Sequence, residues 1–156
     1  MKAASRIEHM STKEIVHTVR VEFGDCDPAG IVWFPNFFRW IDAASRHFFH
    51  QCGVPRWEET ARTIGVIGTP LVDTHSRFVK TASYGDTLQV RVTVREWRDK
   101  SFVQVYRIER AAREAGAEAE LIMECEEVRI FAARREDGKN GIRAVPIPPS
   151  IRSLCE

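Results

Sequence analysis

The order of hydrophobic periods along the chain predicts an α+β fold built on one central helix. Three observations carry this. A strand-like alternation opens the chain, one long stretch then follows helical spacing, and every later regular stretch alternates with the period of a strand.

The opening strand is read from His17, Val19, Val21 and Phe23, which alternate with Thr18, Arg20 and Glu22. Gly24-Asp25-Cys26-Asp27-Pro28-Ala29-Gly30 breaks the pattern, because Asp-Pro and Gly favour turns. From Phe34 to about Cys52 the spacing becomes helical. Phe37, Ile41, Ala44 and Phe48 mark one stripe, and Phe38, Asp42, Ser45 and Phe49 mark the next. Pro35 suits the first helical turn and Gly53 the far end. Some 19 residues make a helix roughly 28 Å long. With aromatics around so much of its circumference, it is expected to be buried rather than to lie on a surface. A short helix is expected over 56–64.

Strands follow. Leu71 to Thr81 is the first, and Leu88, Val90, Val92 and Val94 alternate with polar residues in the second. Ser101 to Arg110 returns after a tight turn at Asp99-Lys100. Leu121, Met123 and Cys125 alternate, and Val128 and Ile130 continue on the opposite parity, which predicts a bulge near Glu126-Glu127. Pro146, Pro148 and Pro149 are expected to end the regular structure. Consecutive hairpins favour an antiparallel sheet, and such a sheet buries an apolar helix by curving around it. The expected organisation is a flexible lead-in at 1–13 and one domain over 14–156.

The bulk properties exclude several functions. The chain has 156 residues, 44% apolar and 29% charged, with a formal net charge of +1, ordinary values for a globular protein. No basic footprint for nucleic acid is present. Four cysteines, Cys26, Cys52, Cys125 and Cys155, lie far apart without a Cys-x-x-Cys pair, a pattern of reduced thiols rather than disulfides or zinc. Met1 to Met10 lacks the apolar core of a signal peptide, and no apolar run approaches the roughly 20 residues of a membrane span. A soluble, cytoplasmic protein is expected.

The turn holding Asp25 and Asp27 is the sharpest chemical feature. On one reading it is only a turn whose aspartates bond backbone N–H groups. On the other, a carboxylate faces an electrophile bound at the helix start, where free N–H groups hold a developing oxyanion. Asp42 either pairs with Arg39 or Arg46 on neighbouring turns, or accepts a hydrogen bond from a ligand. Arg95, Arg98 and Lys100 with Trp97 form either a solvated hairpin tip or a grip for nucleotide phosphates. His47 and His50 lack the further ligands of a metal set. Cys26 has no partner His in view, and no Gly-x-Ser-x-Gly elbow or P-loop occurs.

The run Val21-Glu22-Phe23-Gly24-Asp25-Cys26-Asp27-Pro28-Ala29-Gly30-Ile31-Val32-Trp33-Phe34-Pro35-Asn36-Phe37 resembles the active-site signature of the 4-hydroxybenzoyl-CoA thioesterase family. The likeness continues through Arg39 to Arg46, Gly68-Thr69-Pro70, Thr81 to Asp86 and Glu96 to Gln104. It implies a hot-dog fold, a curved antiparallel sheet wrapped around the long helix. It implies a homo-oligomer, a dimer or dimer of dimers, with sites at subunit interfaces.

By the same resemblance, Asp27 attacks the thioester carbonyl or activates water, and the backbone amide of Phe34 polarises the carbonyl oxygen. Asp42 and Thr69 lie near the aryl hydroxyl, Phe37 and Phe38 line the substrate pocket, and Arg98 and Lys100 meet the CoA phosphates. No metal or cofactor is implied, since coenzyme A is part of the substrate. Three departures stand out. Phe34 and Phe37 occupy positions that tend to be Tyr, and Phe38 replaces a polar residue, so the pocket is more apolar. Asp99 sits where a second base would help hold phosphate. The implied function is hydrolysis of an aromatic acyl-CoA. The alternatives are a broad short- or medium-chain acyl-CoA thioesterase and a non-catalytic acyl-CoA-binding module.

Overall fold

A computed structural model describes residues 13–137 and 139–156. The lead-in expected at 1–13 lies outside these residues except for Lys13.

Five strands form one antiparallel sheet: β1 (Ile15–Arg20), β2 (Leu71–Phe78), β3 (Thr87–Trp97), β4 (Ser101–Arg110) and β5 (Glu120–Ile130). Their order is β1-β3-β4-β5-β2. Helix α1 (Pro35–Gln51) lies along the inner face. Its first turn meets β2, where the Phe37 and Phe78 rings are 5.7 Å apart, and its last turns meet β4, where Phe49 and Phe102 are 5.6 Å apart. The helix therefore runs parallel to the strands, over roughly 25 Å. This is the expected architecture of a sheet wrapped around a central helix. Helix α2 (Trp57–Ile64) follows as expected.

The helix buries one broad stripe, Phe37, Trp40, Ile41, Ala44, Ser45, Phe48 and Phe49, while Arg39, Arg46 and His50 face outward. The expectation of burial all round is thus corrected: two adjacent stripes at i and i+1 merge into a single wide face. Full burial of Phe48 or Phe49 contributes about 1.5–3 kcal/mol each.

Other expectations also need correction. β1 ends at Arg20, and Phe23 starts a 3-10 turn, Phe23–Asp25, instead of continuing the strand. β2 stops at Phe78. No bulge occurs at Glu126-Glu127, which pair in register with Val105 and Gln104. Against β2 the register shifts between Val128 and Arg129, opposite Leu71/Asp73, and against β4 it shifts between Met123 and Leu121, opposite Ile108/Glu109. Below that shift the inward residues are Cys125, Glu127 and Arg129, exposed by only 4%, 2% and 5%. Charged side chains fill positions that an apolar alternation assigns to solvent, so the parity was misread. A small hairpin, β6 (Ala132–Arg134) with β7 (Ile142–Ala144), was not foreseen, and helix α3 (Pro149–Cys155) continues regular structure past the prolines expected to end it. Among the described residues no helix is long and apolar enough to cross a membrane.

Candidate active site

Asp25 builds the turn between β1 and α1. Its Oδ2 accepts the Glu22 N–H at 2.9 Å, and its Oδ1 faces the Arg39 guanidinium at 3.2 Å. Its backbone carbonyl accepts from Trp33 N–H at 2.9 Å and from Asn36 Nδ2 at 2.8 Å. The carboxylate is thus engaged in joining the chain before the turn to the first turn of α1.

Asp27 is used differently. Its Oδ1 accepts the Ala29 N–H at 2.8 Å, an Asx turn, and Gly30, at φ +78°, closes the loop. Among the described residues its Oδ2 accepts no hydrogen bond. One oxygen is held by its own loop and the other is open.

The start of α1 leaves one amide over. Pro35 has no N–H, Asn36 donates to the Trp33 carbonyl at 2.9 Å, and Phe37 donates to the Phe34 carbonyl at 3.1 Å. The Phe34 N–H has no acceptor among the described residues. Phe34 lines a cleft of about 300 Å³ with Ile31, Val32, Phe37, Phe78 and Ala82. Phe38 stands beside it, its ring 6.3 Å from that of Phe78. The Asp27 side chain does not itself line this cleft in the single chain. It sits at the edge, where its backbone N–H bonds the carbonyl of Ile31 at 2.9 Å.

Further along α1, Asp42 and Thr69 are drawn together by a residue that sequence reasoning missed. Arg129 donates to Asp42 Oδ1 through both terminal nitrogens at 3.2 Å and to the Thr69 carbonyl at 3.1 Å, and its Nε donates to Glu127 Oε2 at 2.7 Å. Burial opposes the charge of Arg129, yet Tyr106, Glu127 and Asp42 outweigh it and raise its pKa above the ordinary arginine value. Arg46, one of the two partners foreseen for Asp42, donates to Oδ2 at 2.6 Å. The parity shift at Glu126-Glu127 was the available signal for Glu127 and Arg129.

Arg98 and Lys100 lie at the tip between β3 and β4. Arg98 is forked onto Glu96 at 3.0 and 3.1 Å. The Lys100 ammonium makes no ion pair among the described residues. Phe78 is level with Ile108, whereas the tip adjoins Phe102. Six residues of β4 separate the two ends, roughly 20 Å. Asp42 lies eight residues beyond Phe34, about 12 Å along the helix. A single chain therefore holds the expected residues as three separate groups.

Around the start of α1 Phe23, Trp33 and Tyr84 are exposed by 55–80%, and along β2 Leu71, Val72 and Phe78 are exposed by 46–60%. β2 is also an edge strand, with one side unpaired among the described residues. An exposed apolar patch beside an open sheet edge marks an interaction surface.

An antiparallel sheet wrapped around one helix, with an open carboxylate oxygen and an unclaimed amide at that helix's start, is an arrangement suited to acyl transfer. The chain belongs to the thioesterase-like superfamily, whose family model matches residues 21–154. It is 46% identical over 143 residues to 4-hydroxybenzoyl-CoA thioesterase from Pseudomonas sp. strain CBS-3, across 92% of this chain and 98% of that protein.

A crystal structure of a 4-hydroxybenzoyl-CoA thioesterase Asp-to-Asn mutant complexed with 4-hydroxybenzoyl-CoA is 45% identical. It superposes with a TM-score of 0.85 over 92% of this chain and 99% of that one. A gentisyl-coenzyme A thioesterase structure is 30% identical, with a TM-score of 0.71 over 88% of this chain and 99% of that one. The family resemblance read from the sequence is borne out, and with it the hot-dog architecture.

Proposed function

We propose that this chain hydrolyses an aromatic acyl-CoA, 4-hydroxybenzoyl-CoA or a close relative, to the free acid and CoA. The observation that carries the reading is the pair at the start of α1: the open Oδ2 of Asp27 and the unclaimed N–H of Phe34, at the edge and wall of one apolar cleft. The thioester carbonyl oxygen accepts from the Phe34 amide, and charge developing on it is stabilised there. One such donor is worth about 2.7–4 kcal/mol of barrier.

Two routes use the same geometry. Asp27 Oδ2 adds to the carbonyl carbon, the C–S bond breaks, CoA leaves as its thiolate, and water hydrolyses the mixed anhydride. Alternatively Asp27 takes a proton from water as the water adds. Phe37, Phe38 and Phe78 supply an apolar wall for the ring, and Asp42 with Thr69 meets its hydroxyl.

The site is completed by a second copy of the chain. The corner is open to solvent in one copy, and its own Arg98 and Lys100 lie roughly 20 Å away. Pairing along β2 covers the exposed apolar residues and brings the partner's hairpin to the CoA phosphates; a dimer suffices, and a dimer of dimers preserves it. The four cysteines are all free, which fits a cytoplasmic location.

CoA release from 4-hydroxybenzoyl-, benzoyl- and hexanoyl-CoA tests the function. The proposal expects the two aromatic thioesters to be turned over fastest. Faster turnover of hexanoyl-CoA would replace it with the medium-chain reading. No release from any thioester would leave only a binding module.

A further inference from the structure

A chain of polar contacts leaves α1, crosses the inner face of the sheet and returns to α1. It starts at Asp42, held by Arg129, whose Nε donates to Glu127 Oε2. The same Oε2 accepts the Tyr106 hydroxyl at 2.9 Å. The Tyr106 oxygen lies 2.8 Å from Gln104 Oε1, which accepts the Ser45 hydroxyl at 2.7 Å. Asp42 and Ser45 are three residues apart and so share a side of the helix. Gln104, Tyr106, Glu127 and Arg129 are all at least 95% buried. Burial, reinforced by the charge of Glu127, pushes the Tyr106 hydroxyl well above its ordinary range and keeps it a proton donor.

Such a network is costly. Two charges taken out of water repay the loss only with good geometry, and an apolar pair of similar volume often serves stability as well. Neighbouring inward positions are indeed apolar, among them Val92, Val94 and Met123. Filling space does not call for these groups. Their distinctive product is one fixed carboxylate at the surface: the Asp42 side chain is 48% exposed, while that of Arg129 behind it is 6% exposed. The same planar guanidinium also holds the Thr69 carbonyl, a three-way fork that a lysine ammonium on a flexible stem does not reproduce. On the outer side, among the described residues Asp42 Oδ2 is held only by Arg46, whose side chain is 62% exposed, and surface pairs of this kind are weak.

We infer that Arg129 is a positioning residue for recognition of the ring hydroxyl. Braced by Glu127 and Tyr106, it fixes the Asp42 carboxylate and the Thr69 carbonyl in one frame, and a phenolic hydroxyl displaces Arg46 to donate to Asp42 Oδ2. The inference rests on the reading of Asp42 given under Proposed function.

The test is the ratio of kcat/KM for 4-hydroxybenzoyl-CoA to that for benzoyl-CoA. It is measured in the wild-type protein, Asp42→Asn, Arg129→Lys and the double variant Glu127→Gln with Arg129→Met. The double variant removes both buried charges together, so neither is left unpaired; if it does not fold, Arg129→Lys carries the test. In all three variants the ratio is expected to fall at least about tenfold, the scale of one misplaced hydrogen bond, chiefly through a higher KM for the hydroxylated substrate. If Asp42→Asn lowers the ratio but the Arg129 variants lose rate equally on both substrates, Arg129 is only a packing residue and the inference is overturned. If Asp42→Asn leaves the ratio unchanged, or the wild-type ratio is near one, the underlying reading of Asp42 fails, and the inference with it.

Discussion

Three aspartates at one end of the sheet differ in who donates to them, and this difference sets their roles. Asp25 is engaged by Glu22, Arg39 and the start of α1, which makes it the builder of the turn. Asp27 keeps one oxygen open. Asp86, 2% exposed, accepts the Ser83 N–H at 2.9 Å and pairs with Arg110 and Arg113. Burial alone would raise its pKa, but Ser83, Arg113 and Arg110 outweigh burial and hold it below the ordinary carboxylate value. A carboxylate with a depressed folded pKa stabilises the fold above its unfolded pKa, about 3.9 for Asp, and that contribution is lost as pH falls through the folded value. The melting temperature of the wild-type protein should therefore exceed that of Asp86→Asn at pH 7 and pH 5, with the gap narrower at pH 3. A gap that persists undiminished at pH 3 contradicts this role. At this scale Asp27 was legible because a turn signal framed it, and Arg46 was foreseen as a partner of Asp42 from helical spacing. Arg129 and Glu127 were not, because an alternation of apolar residues assigns every charge to solvent. The Phe34 amide has no side-chain signature at all, and only the family resemblance pointed to it.

Among the elements, α1, α2 and the β3–β4 hairpin were readable within a residue or two, since strong periodicity and Pro35, Gly53 and Asp99-Lys100 marked their limits. What escaped was set by tertiary contacts. Phe23 continues the alternation of β1, yet it leaves the strand because Asp25 folds the chain back through the Glu22 N–H. The residues after Phe78 no longer extend β2, because Val79 and Lys80 N–H groups both turn to the Ile122 carbonyl, next to the register shift against β4. The late prolines delimit α3 instead of ending the structure: Pro149 is its first residue, where a missing N–H costs nothing. The central helix was misjudged only in how much of its surface is covered. Its exposed side carries Arg39 and Arg46, and each of these grips a carboxylate of the candidate site.

For the whole molecule, the separation of Asp27 from Arg98 and Lys100 gives the proposed assembly a direct test. If the hairpin serves the partner's site, the variant Asp27→Asn and the double variant Arg98→Glu with Lys100→Glu are each nearly inactive alone, yet mixing them restores activity. Random exchange makes half of the dimers hybrid with one intact site each, so recovery should reach about a quarter of the wild-type rate. No recovery after verified subunit exchange contradicts a shared site. The reaction itself is tested most directly at Asp27, by the kcat of Asp27→Asn on 4-hydroxybenzoyl-CoA with the melting temperature measured alongside. Turnover is expected to fall by a factor of about 10³ or more while the melting temperature stays near that of the wild-type protein, since Asn still accepts the Ala29 N–H but is no longer a nucleophile or base. A folded Asp27→Asn protein within about tenfold of the wild-type rate would contradict the assignment.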